Sequence, residues 1–145
     1  MNYKQFFEEN GYIPKIAFGS PPTAKQIARV LDKKLGLGKY KLFDVAIFLK
    51  EPHTSGYIDW HQDLSYWTVK DALTVWYAIT DSTKENGALR VIAGSHKKLY
   101  YHSFNASVNN KLSKKQVISE QLLEIYMMSN KLKASPIVYG DCRLE

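Results

Sequence analysis

The sequence predicts an α+β fold: a double-stranded β-helix, the cupin-like jelly roll, with flanking helices. Three observations lead to this prediction. Short apolar stretches rich in β-branched residues are separated by turn-forming residues, as in short strands. Three Trp, ten Tyr and six Phe are a high aromatic content, which suits a β-rich fold around an aromatic-lined cavity. Segments with helical spacing accompany the strands at one end, an arrangement typical of a jelly roll.

The N-terminal part of the chain is predicted to be helical. Residues 6–13 form an amphipathic turn of helix that ends at Gly11. After a loop that contains two prolines, Thr23 caps a second helix, which Gly36 and Gly38 stop. The apolar residues of this second helix recur at helical spacing: Ile27, Val30, Leu31 and Leu35.

The period of the apolar pattern changes after Lys41, and most of the remaining chain is predicted as strands. Residues 72–80 form the clearest strand, since they are apolar on both faces and rich in β-branched and aromatic side chains. Residues 81–87 form a turn that ends in Asn-Gly, a pair that favours positive φ. Residues 114–128 have helical spacing. The other predicted strands are residues 41–49, 57–61, 89–92 and 135–139.

Composition bounds the class of protein. A chain of 145 residues is long enough for one domain with one sizeable core. Its 45% hydrophobic and 23% charged residues are ordinary for a globular protein. The N-terminus lacks the pattern of a signal peptide, and no apolar stretch is long enough to span a bilayer. The single cysteine, Cys142, fits a reducing compartment, so we expect a cytoplasmic protein without membrane association.

The net charge of +6 is concentrated in one part of the chain. Between Lys97 and Lys133 there are seven Lys and two Glu. A solvated surface explains this excess, and a docking patch for an anionic substrate, such as an acyl-CoA or a phosphorylated carrier, is the alternative. None of the usual nucleic-acid-binding modules is recognisable, so we expect no nucleic-acid partner.

The four residues from Trp60 to Asp63, Trp-His-Gln-Asp, are the strongest functional signal. On an extended segment, side chains two residues apart project to the same face, so His61 and Asp63 are predicted to converge on one metal ion. One imidazole and one carboxylate are two thirds of the ligand set of non-haem Fe(II) oxygenases. A second block, Asn-Gly-Ala-Leu-Arg-Val-Ile-Ala-Gly-Ser-His at residues 86–96, follows about two dozen residues later.

The two blocks at this separation resemble the phytanoyl-CoA dioxygenase family, whose members are Fe(II)- and 2-oxoglutarate-dependent oxygenases. The resemblance implies that Fe(II) is held by His61 and Asp63, and that 2-oxoglutarate and O2 are co-substrates. It also implies that an aliphatic carbon of a small-molecule or acyl substrate is hydroxylated while 2-oxoglutarate is decarboxylated to succinate. Related halogenases have a small residue in place of the carboxylate, so Asp63 favours hydroxylation.

The resemblance also implies groups that the sequence does not supply. In the family, a second histidine ligand and the arginine that binds 2-oxoglutarate lie on the last strands, which are expected beyond Glu145. We therefore expect a single domain over residues 1–145 whose final strands are missing. With two protein ligands, the chain should bind Fe(II) weakly and turn over 2-oxoglutarate slowly or not at all. Exposed strand edges should favour self-association or a partner chain.

Resident side chains offer alternatives for the missing groups. Three histidines are considered as a replacement ligand or as surface or hydrogen-bonded residues: His53, His96 and His102. Of these, His96 resembles a structural residue of the family's Gly-Ser-His signature. Arg143 is at the wrong distance from the motif to bind 2-oxoglutarate, and Arg90 is expected to be structural.

Four further residues are weaker candidates. Trp76 resembles a family tryptophan that lines the 2-oxoglutarate pocket, and a core aromatic is the alternative. Lys50 resembles a residue at the end of a strand that faces the substrate, and a surface lysine is the alternative. Tyr66 and Trp67 form either the mouth of the cavity or part of the core. The rival interpretation of the whole chain is a non-catalytic jelly-roll binding module that retains the H-x-D motif.

Overall fold

The computed structural model describes residues 1–13, 16–18, 20–36, 38, 41–63, 72–105, 107–112, 116–119, 121, 122 and 124. The chain divides into two units. The first contains Met1–Val45 and Val75–Lys97, and the second contains Ala46–Thr74 and Lys98–Lys133. The H-x-D motif lies in the second unit.

Helix α1 spans Tyr3–Asn10, so the predicted N-terminal helix is confirmed and begins three residues earlier than its apolar pattern. The side chain of Asn2 accepts a hydrogen bond from the backbone N–H of Gln5 at 3.1 Å, which satisfies one donor of the first turn. At the other end, Gly11 adopts φ +79°, and its N–H donates to the carbonyl of Phe7 at 2.7 Å. The left-handed conformation of Gly11 ends the helix.

Helix α2 spans Ala24–Leu35, as predicted. Thr23 and Gln26 form a capping box, in which each side chain bonds the backbone N–H of the other. Gly36 ends the helix at φ +64°. The apolar face of α2 supplies Leu31 and Leu35 to the buried residues of the first unit, and Leu35 is only 1% exposed.

The segment that contains the Gly-Ser-His signature docks on the C-terminal end of α1. The N–H of Gly94 donates to the carbonyl of Asn10 at 2.9 Å, and Nε2 of His96 lies 3.1 Å from the carbonyl of Glu8. His96 belongs to the 3₁₀ turn Ser95–Lys97. Since carbonyls at the end of a helix have no partner within the helix, these bonds satisfy them. The structural role expected for His96 is confirmed.

In its described residues, the second unit contains two short strands and one isolated bridge. Strand β1, Ser103–Phe104, pairs antiparallel with strand β2, Gln116–Val117. The bridge joins Tyr57 and Asn110 in parallel. The buried residues of this unit include Tyr100, Leu112, Val117 and Ile118, together with the fully buried Asn110.

The structure differs from the predicted strand pattern in several places. Residues 41–50 and 72–80 are not paired in a β-ladder, and residues 90–92 do not extend the isolated bridge at Leu89. Ile47 and Leu49 are 81% and 80% exposed, so their face of the segment is not covered. An alternating pattern specifies which face is apolar, but a strand forms only when another backbone edge pairs with it. The jelly roll itself stays a prediction.

The predicted helix over residues 114–128 is wrong at its beginning, where Gln116–Val117 forms β2. The hydrogen bonds to Ser103–Phe104 outweigh the helical spacing of this segment, because tertiary pairing overrides a weak local preference. Most of the rest of that segment, the strand predicted at 135–139 and Cys142 lie outside the described residues. Within the described part of the chain, no helix has the length and apolar character needed to cross a membrane.

Candidate metal centre

The backbone before the H-x-D motif is fixed by three hydrogen bonds within the second unit. At Tyr57, the N–H donates to the carbonyl of Asn109 at 2.9 Å, and the carbonyl accepts from the N–H of Lys111 at 2.8 Å. At Trp60, the carbonyl accepts from the N–H of Ile118 at 2.8 Å. These bonds set the direction in which the chain enters His61.

The side chains of His61 and Asp63 converge. Nε2 of His61 lies 3.2 Å from Oδ1 of Asp63. The two side chains are 22% and 41% exposed, so the pair is open to solvent on one side. Two atoms bound to one ion at about 2.1 Å and at right angles are roughly 3.0 Å apart, so the observed spacing fits two neighbouring ligands of one metal.

Each member of the pair is oriented by a second partner. Nδ1 of His61 lies 2.7 Å from the carbonyl of Asp59, and since a carbonyl only accepts, Nδ1 carries the proton and donates. The hydroxyl of Thr74 donates to Oδ2 of Asp63 at 2.8 Å. Nε2 and Oδ1 are thereby directed towards each other. Metal-binding histidines and carboxylates are generally held by such outer partners.

The pKa values of both groups are shifted towards their charged forms. Burial lowers the pKa of His61, but the hydrogen bonds to Asp63 and to the Asp59 carbonyl, with the charges of both carboxylates, raise it above 6.5 overall. The hydrogen bond from His61 lowers the pKa of Asp63 below 3.8; burial opposes the shift, and the Thr74 hydroxyl adds to it. When no metal is bound, both shifts favour the charged forms and hence an ion pair between the two side chains.

The histidines considered as a replacement ligand have other partners or positions. His102 has Nε2 2.9 Å from the N–H of Gln62 and Nδ1 2.9 Å from the carbonyl of Tyr100. No lone pair of that ring is left for a metal, so His102 is not the third ligand in this arrangement. His96 lies in the first unit, and His53 is an exposed loop residue at φ +60°. Among the described residues, no third His, Cys, Asp or Glu is grouped with the pair.

Two of the weaker candidates, Trp76 and Lys50, lie in the described part of the chain. Trp76 is half-buried in the first unit, where Arg90 is exposed. Lys50 is exposed in the second unit. Tyr66 and Trp67 lie outside the described residues. The roles of these four candidate residues stay predictions.

A polar groove of about 470 Å³ lies beside the segment that leads to the motif. Its wall includes the backbone or side chains of Asp59, Asn105 and Ser119. Asn105 donates to the Asp59 carboxylate at 3.2 Å, which fixes one side of the groove. Of the described residues, neither His61 nor Asp63 lines it.

Sequence reasoning missed the residues that orient the pair. Asp59 acts through its backbone carbonyl, which any residue would supply, so its identity gives no signal. Thr74 is eleven residues beyond Asp63, and its hydroxyl has no motif around it. Gln62, the polar residue inside the H-x-D motif, is the one sequence feature that indicates such a support. Its side chain and its N–H are both bonded within the second unit.

Comparisons with known proteins agree with the resemblance seen in the motifs. The family model described as phytanoyl-CoA dioxygenase (PhyH) matches residues 7–138. A protein of Dictyostelium discoideum, named phytanoyl-CoA dioxygenase domain-containing protein 1 homolog, is 36% identical over 64 residues. These residues are 43% of this chain and 23% of the relative, so the similarity covers under a quarter of the relative's length. No solved structure matches the chain.

Proposed function

Because the chain belongs to the phytanoyl-CoA dioxygenase family, we propose that it is an Fe(II)- and 2-oxoglutarate-dependent dioxygenase. The proposed reaction hydroxylates an aliphatic carbon of a small-molecule or acyl substrate. The observation that supports it best is the pair itself: a histidine nitrogen and a carboxylate oxygen 3.2 Å apart, partly open to solvent.

The donor set of the pair fits iron. An imidazole nitrogen and a carboxylate oxygen are the ligand types of non-haem Fe(II) sites, and two protein ligands leave positions for a co-substrate and oxygen. His61 would bind through Nε2, because Nδ1 carries the proton that is donated to the Asp59 carbonyl. Asp63 would bind through Oδ1, because Thr74 holds Oδ2. When bound there, iron supplies the redox chemistry that activates O2.

The protein's own part in the proposed reaction is to orient ligands and co-substrate. The reaction balances as 2-oxoglutarate, O2 and a C–H bond giving succinate, CO2 and a C–OH group. Trp76 is proposed to line the 2-oxoglutarate pocket, and Lys50, Tyr66 and Trp67 to contact the substrate. A carboxylate at Asp63, where related halogenases have a small residue, favours hydroxylation over halogenation.

Metal binding and turnover test the proposal separately. Under anaerobic conditions, Mn(II) binding is followed by electron paramagnetic resonance, since free and bound Mn(II) give different signals. We expect one Mn(II) per chain. His61→Ala and Asp63→Ala should weaken binding by more than the roughly 10–100-fold that loss of an outer partner costs, and Thr74→Val should weaken it by about tenfold. Asp44→Asn, an exposed carboxylate of the first unit, is the matched control.

Turnover is then measured as succinate formed from 2-oxoglutarate with Fe(II) and O2. Succinate that depends on His61 and Asp63 supports the dioxygenase. Since slow turnover or none is expected of a chain with two protein ligands, the alternative, a non-catalytic binding module, is favoured instead by a bound-Mn(II) signal that 2-oxoglutarate does not change. Mn(II) affinity that is unchanged in both alanine variants would place any metal elsewhere and contradict the proposal.

A further inference from the structure

The residue between the two proposed ligands is held at three points by one segment of the second unit, residues 98–102. The side-chain amide of Gln62 donates to the carbonyl of Lys98 at 2.8 Å, and its oxygen accepts from the N–H of Tyr100 at 2.9 Å. The backbone N–H of Gln62 donates to Nε2 of His102 at 2.9 Å. The amide of Gln62 thus binds one acceptor and one donor of this backbone, two residues apart.

The state of His102 follows from its neighbours. Its Nδ1 lies 2.9 Å from the carbonyl of Tyr100, which only accepts, so Nδ1 carries a proton. Its Nε2 faces the N–H of Gln62, which only donates, so Nε2 is unprotonated. One neutral tautomer satisfies both bonds. The same segment, through Tyr100, both orients the ring of His102 and binds the side chain of Gln62.

The position of Gln62 makes these bonds relevant to the metal pair. Gln62 shares one peptide plane with His61 and the next with Asp63, and each plane is rigid. The hydrogen bond from the N–H of Gln62 to His102 therefore fixes the orientation of the peptide plane between His61 and Gln62. Because residues 98–100 hold the side chain of Gln62, rotation about the backbone dihedrals of Gln62 is limited. This limit fixes the position of the Asp63 backbone relative to His61.

We propose that Gln62 and His102 are positioning residues that hold His61 and Asp63 at metal-binding separation. The inference rests on the proposed function, because it takes the pair as the metal site. Neither residue contacts the metal in this proposal; both act through the backbone of the motif. We call the three hydrogen bonds between Gln62 and residues 98–102 the clamp. Outer-shell partners of metal ligands typically contribute 10–100-fold to metal affinity, and the clamp should have an effect of that order.

The test uses variants that remove single bonds of the clamp in the full chain. His102→Leu removes the acceptor of the Gln62 N–H, whereas His102→Gln offers a side-chain oxygen near the position of Nε2. Gln62→Glu keeps an acceptor for Tyr100 but loses the donor to Lys98. Tyr101→Ala is the control on the same segment, because Tyr101 is 77% exposed. Thermal melting shows which variants are fully folded at the temperature of the measurements.

Two readouts separate positioning from general stability. We expect His102→Leu and Gln62→Glu to weaken Mn(II) binding by about tenfold or more while folded, His102→Gln to restore part of the affinity, and Tyr101→Ala to change nothing. In the metal-free protein, NMR should show faster hydrogen exchange at the Gln62 N–H and weaker contacts between the His61 ring and the Asp63 side chain in His102→Leu. Lower melting temperatures with affinity within twofold of wild type would overturn the proposal.

The NMR readout also separates the two proposals. If wild-type protein binds no Mn(II), the proposed function fails, yet the clamp is still judged in the metal-free chain. Contacts between His61 and Asp63 that persist unchanged in His102→Leu and Gln62→Glu would overturn the positioning role. If His102→Leu does not fold, Gln62→Glu and His102→Gln decide the result in the same way.

Discussion

The ion pair between His61 and Asp63 makes the stability of the metal-free protein depend on pH. Folding raises the pKa of His61 above 6.5, so its contribution is fully present below that value and is lost as pH rises through the folded pKa. Folding lowers the pKa of Asp63 below 3.8, so its contribution is present above that value and is lost as pH falls through the folded pKa. The pair therefore stabilises the protein most between about pH 4 and 6.5.

Urea unfolding of chelator-treated protein tests this dependence. Asp63→Asn should cost roughly 0.5–1 kcal/mol at pH 5, a modest value because the carboxylate is partly exposed. The cost should be smaller at pH 8.5, because His61 loses its charge as pH rises through its folded pKa. Asp44→Asn serves as the control for a change of net charge. An equal cost of Asp63→Asn at the two pH values would contradict the ion pair.

Among the secondary-structure elements, α1 ends at a glycine that also makes room for a distant side chain. Gly11 adopts φ +79°, and a Cβ built on it would overlap the ring of His96. Gly11→Ala therefore meets two penalties: a left-handed backbone that L-residues disfavour by about 1 kcal/mol and a steric clash. We expect Gly11→Ala to lower the free energy of unfolding by roughly 2–3 kcal/mol.

A double-mutant cycle separates the two penalties. His96→Ala removes the clashing ring, so the effect of Gly11→Ala in that background should fall to the backbone penalty of about 1 kcal/mol. Gly36→Ala, at φ +64° with nothing within 4 Å of its Cβ, is the matched control for the backbone penalty alone. Identical effects of Gly11→Ala with and without His96 would show that the close contact costs nothing.

The elements show which parts of the fold can be predicted from sequence. Both helices follow from local chemistry: Thr23 and Gln26 supply a capping box, and Gly11 and Gly36 supply the stops. Strands depend on partners, which the pattern at residues 41–49 does not encode, and Gln116–Val117 pairs although its spacing is helical. Local signals within a few residues are readable, whereas pairing between distant segments is not.

The candidate site also has one part that the sequence predicts and another that only the structure shows. His61 and Asp63 are identified by their two-residue spacing, and their side chains do converge. Their supports come from residues 11 and 40 positions away from their partners, Thr74 on Asp63 and His102 on Gln62, and no spacing rule links them. His102 was a candidate ligand in the sequence, and its actual partners are backbone groups. The convergence of the two side chains was therefore predictable, but the residues that orient them were not, and the metal chemistry stays a prediction.

At the scale of the whole chain, an apolar stretch of the sequence over residues 42–49 is exposed. Leu42, Phe43, Val45, Ile47, Phe48 and Leu49 are each more than half exposed. Exposed apolar side chains of this kind favour association with another chain. We expect the apparent mass of the chain to rise with concentration in light scattering and sedimentation.

Charge placed in this stretch should reduce the association. The double variant Ile47→Lys, Leu49→Lys should lower the apparent mass at matched concentration. Val108→Lys, at a residue 81% exposed but outside the stretch, makes the same chemical change as a control and should leave the mass unchanged. A wild-type chain that stays monomeric at every concentration would contradict the expectation.

The docking of Gly94 and His96 on the end of α1 also has a consequence in time. The helix is synthesised before the groups that satisfy the carbonyls of Glu8 and Asn10, which come more than 80 residues later. At about 5–20 residues per second, the delay is on the order of 4–16 seconds. Until then the carbonyls of Glu8 and Asn10 can only bond water, so during synthesis this end of α1 is completed after the rest of the helix.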